Sequence, residues 1–419
     1  MRVRRERWGR SAARVVGGAA VVAAAAGCWG QPGFGPLHQG SNPVEAGLTG
    51  VNVATLAPAW TAAVDAGPVR ADPVVSGPGV VHVSDDIAAY GIDTGTGTRL
   101  WRTPVVPAGP PAGLVAGPVA AEGGTLVVPW GGAPDSGGTV RLDAATGAVL
   151  GRGGGIGSMF VTRRDPWTVT VNSGLVEGTL PAAGIEVDGP VDWFLIVHFG
   201  VDPVPAPTAA TVTSSHFFVG LGGGFYGVDI LAAWDLDQGC PAGGPEAQAV
   251  VCQPDVRTAL DGLPTTPVVS DDEATAFVAT DAGTVYAVDT VTGAVRWSAA
   301  AGAAVTERPA LASGGLLVAT DAGTLLTFAA GGCGAATCPP IRTVALAGRP
   351  ATPPAVAGGV VYVATGRRLS AYPAAGPAVR PLWADGLDAP VTTGPTVAFG
   401  TLYAGTADGR LVAFRPGGP

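Results

Sequence analysis

The stretch Ala287-Val288-Asp289-Thr290-Val291-Thr292-Gly293-Ala294-Val295-Arg296-Trp297 decides the fold, because its skeleton returns along the chain. Asp93, Thr96, Gly97 and Trp101 repeat the same Asp-x-x-Thr-Gly-x-x-x-Trp spacing. Asp143, Thr146 and Gly147 repeat it again, with Gly151 where the Trp would stand. The spacing reads as a strand ending at the Asp, a tight turn that needs Gly at positive φ, and a return strand whose Trp wedges between neighbouring units. A unit of this size cannot bury its apolar face alone, so the copies must stack.

The Trp strand sets the register outward from there. Trp297 to Val305 reads alongside Trp101 to Val105, Trp383 to Val391 and Trp60 to Val69. Nothing before Trp60 supplies three further strands, and Pro390 to Arg415 offers three strands without a fourth. The economical solution is that the Trp60 strand completes the last unit, which abolishes a free sheet edge. Units of roughly 40 to 55 residues then fall at about 70–105, 114–154, 155–203, 206–257, 262–302, 304–346 and 348–388, in the range of four-stranded propeller blades. The expectation is an all-β, eight-bladed propeller of four-stranded antiparallel blades, with seven blades if 155–203 is an insertion. The 66 Gly and 38 Pro, spread along 419 residues, agree with many short strands joined by turns.

The N-terminus reads as an address. Arg2, Arg4, Arg5, Arg7, Arg10 and Arg14 precede an apolar run from Val15 to Ala26, and Ala25-Ala26-Gly27-Cys28 follows the pattern of a cleavage site. A Cys at that point resembles the lipobox of bacterial lipoproteins, which implies lipidation of Cys28 and anchoring through acyl chains. Residues 1–27 are accordingly expected as a signal peptide, 28–50 as a lipidated N-terminus with a flexible tether, and 51–416 as a single propeller domain. Losing residues 1–27 removes six Arg and one Glu, which takes the formal charge from −9 to −14. An acidic body without a basic stripe excludes a nucleic-acid partner. The remaining cysteines form two local pairs, Cys240 with Cys252 and Cys333 with Cys338, expected as disulfides in an oxidising compartment. Zinc would want closer Cys spacing or His partners, and the four His are scattered.

Trp-bearing repeats of this form, in about eight blades, resemble the PQQ-type β-propeller repeats of quinoprotein dehydrogenases and of their non-catalytic BamB-like lipoprotein relatives. The resemblance covers about residues 50 to 416, carried by Trp60, Asp93, Gly97, Trp101, Asp143, Gly147, Asp289, Gly293, Trp297 and Trp383. Those residues pack blades together and touch no substrate, so they speak for architecture rather than activity. The catalytic members imply calcium held by oxygen ligands, an Asp base, an aromatic floor under the quinone and commonly a disulfide between adjacent cysteines. No adjacent Cys pair and no Cys-x-x-Cys-His motif occurs here. Asp85-Asp86 and Asp271-Asp272-Glu273 read as solvated turns, Asp235-Leu236-Asp237 as a turn, and Pro134-Asp135-Ser136-Gly137-Gly138 as a loop lacking the His that a serine nucleophile needs.

What remains as a candidate binding surface is the mouth of the central channel. The first strands share a polar-Pro-aliphatic opening at Asp72-Pro73-Val74, Thr266-Pro267-Val268, Arg308-Pro309-Ala310 and Thr352-Pro353-Pro354. Arg70, Asp72, Glu307, Arg308 and Arg349 would place mixed charge at that ring, suited to a peptide or polar small molecule, or would pair with one another. The expectation is a monomeric, lipid-anchored scaffold or recognition module of the cell envelope, without catalysis, metal or cofactor, whose partner is an envelope protein or peptide. The alternatives are a small-ligand receptor and a PQQ-dependent dehydrogenase.

Overall fold

The computed structural model describes residues 28–107, 115–116, 120–122, 124–133, 136–154, 158–164, 167–172, 183–188, 192–197, 208–229, 249–252 and 254–417. Among these residues the strands group into eight sheets, each built on an antiparallel meander, with a parallel strand added in two of them. The first holds Val74–Gly77, Val80–Ser84, Ala88–Asp93 and Arg99–Pro104. The eighth joins Thr396–Ala398, Thr401–Gly405 and Arg410–Pro416 to Leu56–Ala63, so the Trp60 strand pairs antiparallel with the last strand of the chain. The ends are thereby stitched together and the all-β propeller is closed. No helix among the described residues is long and apolar enough to cross a membrane.

The repeat earns its conservation of form within the chain through a single contact. Each Trp lies on the outer strand of one sheet and reaches the turn of the next. The indole N–H of Trp60 donates to Thr94 O at 2.8 Å, that of Trp101 to Ala144 O at 3.3 Å, and that of Trp297 to Ala330 O at 3.2 Å. Trp383 donates to Leu56 O at 3.0 Å. Under the rings of Trp60 and Trp101 sit Gly97 and Gly147, with φ of +74° and +69°. A Cβ there would stand 2.7 Å from the Trp60 ring and 2.5 Å from the Trp101 ring, so the position needs Gly for both conformation and space. The turn itself is held by its Asp: the Asp93, Asp143 and Asp289 carboxylates each accept from the backbone N–H and hydroxyl of the Thr three residues on.

Because every sheet buries its faces against its neighbours, the core is a series of layers between sheets rather than one centre. Trp297 packs with Phe277 and Phe328 between the fifth and sixth sheets, and Trp383 with Phe414 between the seventh and eighth. The Cys333–Cys338 disulfide forms. It closes a loop of the sixth sheet onto the outer strand of the fifth, where Cys338 N–H donates to Ser298 O and Ser298 N–H to Ala336 O. The Cys240–Cys252 pairing lies outside the described residues and side chains.

Three expectations are corrected. The segment 206–257 does not stay in one unit: Ala249–Cys252 adds in parallel to Asp192–Val197 as the fifth strand of the third sheet, and the fourth closes with Val256–Ala259. Residues 28–50 do not form a flexible tether. Trp29 is buried, Ser41–Asn42 pairs in parallel with Ala355–Ala357, and Leu48 sits in the core of the seventh and eighth sheets. Asp85, read as a solvated turn residue, is also fully buried, taking N–H groups of Ala66, Ile87 and Ala88 and the Tyr90 hydroxyl.

Candidate functional site: the axial ring and its strap

The innermost strand of each blade is an edge strand, and its outward N–H and C=O groups face the axis with no strand to pair them. Residues 29–42 supply the partner. Trp29 and Val75 exchange two backbone hydrogen bonds at 2.8 Å in the first sheet. Val212 N–H donates to Pro36 O, Val269 N–H to Leu37 O, Leu311 N–H to Gln39 O and Val356 N–H to Gly40 O, at 2.7 to 3.0 Å. The Asn42 side-chain amide donates to Val397 O at 2.9 Å, and the His38 ring meets the Thr162 hydroxyl at 3.0 Å. One short strap therefore touches the inner strands of seven of the eight sheets.

Its shape follows from Gly33 and Gly40, both at positive φ, between which Gly40 N–H donates to Gly33 O. The bare faces of these glycines cradle the Arg308 guanidinium: a Cβ on either would come within 2.9 Å of it. Arg308 is buried and donates to His38 O at 2.6 Å. The same guanidinium and burial hold the His38 imidazole neutral, burial being the larger cause, with its pKa pushed down to about 3.

The channel-mouth residues expected from sequence are only partly brought together. Asp72, Glu307 and Arg308 share one electrostatic neighbourhood. Burial raises the Asp72 carboxyl, opposed by Arg308 and by the Gly394 N–H that it accepts at 2.6 Å. Burial first, then the Asp72 charge, pushes Glu307 up to about 7 against the pull of Arg308. Arg70 instead turns outward to Asp86 at 2.6 Å, and Arg349 to Asp321 at 2.8 Å. Most of the mouth's charge is thus committed to contacts within the chain.

Sequence reasoning missed the strap because its Gly, Pro, Asn and Gln content reads as a linker. The available signal was Trp29, Phe34 and Leu37, three large apolar side chains that a solvated tether has no use for.

A closed propeller of Trp-docked repeats with its axis strapped by its own N-terminal segment defines a structural class of repeat protein. Within that class, the family model described as outer membrane protein assembly factor BamB, of the PQQ-like type, matches residues 29–154 and 242–332, just over half of the chain. The chain belongs to that family. No curated protein sequence matches it. Among solved structures, quinohemoprotein alcohol dehydrogenase from Comamonas testosteroni superposes with a TM-score of 0.67 at 14% identity, over 95% of this chain and 82% of that one. BamB from Moraxella catarrhalis gives 0.59 at 14% identity over 86% and 99%, and a europium-containing methanol dehydrogenase 0.65 at 12% over 93% and 98%. At these identities the likeness is one of fold. Near the axis, Asp72 accepts from Gly394 N–H and burial pushes the Glu307 carboxyl up to about 7; among the described residues no three His, Cys, Asp or Glu side chains gather in one cluster.

Proposed function

We propose that this protein is an exported, lipid-anchored scaffold of the cell envelope that binds other proteins and carries out no chemistry of its own. The observation that supports this most directly is the strap. A chain that fills the inner edges of its blades with its own residues 29–42, and commits Arg308 to holding them, uses the axis for rigidity. Recognition then falls to the exposed turns of a rigid ring, the arrangement in which repeat proteins bind partners over a broad surface. The family's description as an outer membrane assembly factor supports an envelope role, and the charge, leader and Cys28 of the sequence support export and anchoring.

The test is a pair of measurements on the mature protein. In-cell crosslinking from surface turns should return a defined envelope protein. Titration with PQQ and calcium should leave the fluorescence of its nine tryptophans unchanged. Saturable quenching that a chelator reverses would overturn the non-catalytic reading, and a ligand set that raises the melting temperature saturably would replace the scaffold with a receptor.

A further inference from the structure

The joint between the fifth and sixth sheets is built differently from those that carry the Asp and Thr of the repeat. In the first and second sheets the turn that receives the neighbouring Trp is braced by Asp93 or Asp143 with the Thr three residues on. The sixth sheet has no Asp or Thr there: its third strand, Thr324–Ala329, runs into Ala330-Gly331-Gly332-Cys333. Trp297 still docks at this turn, donating to Ala330 O, and a Cβ on Gly332 would stand 2.7 Å from its ring. In place of the carboxylate brace comes the Cys333–Cys338 disulfide.

The same bridge covers a sheet edge. Ser298 stands on Val295–Ala300, the outer strand of the fifth sheet. Its N–H donates to Ala336 O at 2.9 Å and its C=O accepts Cys338 N–H at 2.8 Å, so Ala336-Thr337-Cys338 lies along that edge in parallel. Residues 334–337 are exposed and bury nothing apolar that would hold them there. What keeps them on the edge is the closure of a short loop, since the bridge removes most of the freedom the open segment would have.

The two sulfurs of the bridge are unequal. Cys333 is exposed, whereas Cys338 is buried and its Sγ accepts the Cys333 backbone N–H at 3.0 Å. A thiolate from outside can reach Cys333 Sγ, and the N–H is placed to take the charge that arrives on Cys338 Sγ when the S–S bond breaks. We infer that Cys333–Cys338 is a thiol-exchange site, a clasp that an external dithiol opens by attack at Cys333 and whose opening uncovers the outer edge of the fifth sheet. In the first step the dithiol's thiolate bonds to Cys333 Sγ, and the electron pair of the broken S–S bond leaves on Cys338 Sγ, which takes up a proton. The second thiol then displaces Cys333, so the dithiol is oxidised to a disulfide and the pair is reduced to two thiols. Residues 336–338 let go of Ser298, while the ring stays closed through Leu56–Ala63 and Arg410–Pro416.

The test adds dithiothreitol to the folded protein at neutral pH without denaturant. Mass mapping of alkylated peptides reports the state of Cys333 and Cys338, and hydrogen exchange reports the amides of Ser298 and Cys338. The expected result is that both cysteines become alkylated and the two amides lose protection, while Leu402 and Ala404 in the eighth sheet keep theirs. A disulfide that resists the dithiol, that opens only in step with loss of protection at Leu402 and Ala404, or that opens with Ser298 and Cys338 still protected overturns the clasp. The point of attack is tested with single variants. Cys333 in Cys338→Ser should react with iodoacetamide about tenfold or more faster than Cys338 does in Cys333→Ser. Equal rates overturn the assignment of attack to Cys333.

Discussion

At the scale of single residues, the molecule depends on places where an atom must be missing. Gly147 is the clearest: its positive φ and the Trp101 ring 2.5 Å from a would-be Cβ leave no relaxed position for a methyl group. Gly147→Ala should cost about 2 to 4 kcal/mol, from strain and displacement of the ring together, read as a lowered denaturant midpoint. Glu307 makes a prediction of a different kind. Its carboxyl, pushed up to about 7 chiefly by burial, holds a proton in the folded chain over a range where the unfolded chain has released it. Its stabilising effect is present below its ordinary value and fades as pH rises through about 7. Comparing thermal unfolding from about pH 5 to 8, the native protein should lose stability toward the alkaline end relative to Glu307→Gln, and the two curves should diverge most above about 7. His38 and His82, both held neutral by burial, are common to both proteins and cancel.

At the scale of elements, the Trp-turn contact was legible because it is local and periodic: Asp, Thr, Gly and Trp stand at fixed spacing, and each has one physical task. The strap was not legible because its partners lie 46 to 355 residues away, and no local pattern announces a segment that pairs with seven inner strands one residue at a time. The parallel addition of Ala249–Cys252 to the third sheet escaped for the same reason. The strap has an observable signature. The amides of Val212, Val269, Leu311 and Val356 belong to four different sheets yet share one acceptor segment. Gly40→Val, which forces a side chain into the Arg308 guanidinium, should raise their hydrogen exchange rates together while leaving Leu402 and Ala404, paired inside the eighth sheet, protected. Unchanged protection at the four inner amides would show that the strap does not shield them.

At the scale of the whole molecule, closure is the organising event. Leu56–Ala63 has its partner only in Arg410–Pro416, so ending the chain before Arg410 leaves the edges of Leu56–Ala63 and Thr401–Gly405 bare and breaks the join between the ends of the ring. Such a truncation should lose a single sharp thermal transition and unfold over a broad range at lower temperature, as a linear repeat array does. The charged ring at the channel mouth was read from sequence as a set of five; its dispersal into Arg70 with Asp86, Arg349 with Asp321, and a buried trio around Arg308 depends on side-chain directions that spacing does not encode.

The stitched ends also set a timetable. The residues that leave the ribosome first, the strap and the Trp60 strand, are satisfied only by the inner strands spread through the chain and by the last strand to arrive. Until Arg410–Pro416 appears, the Trp60 strand has no partner and the ring stays open. The ring can therefore close only after synthesis is complete, which makes the interval before closure the period in which the chain most needs protection from aggregation.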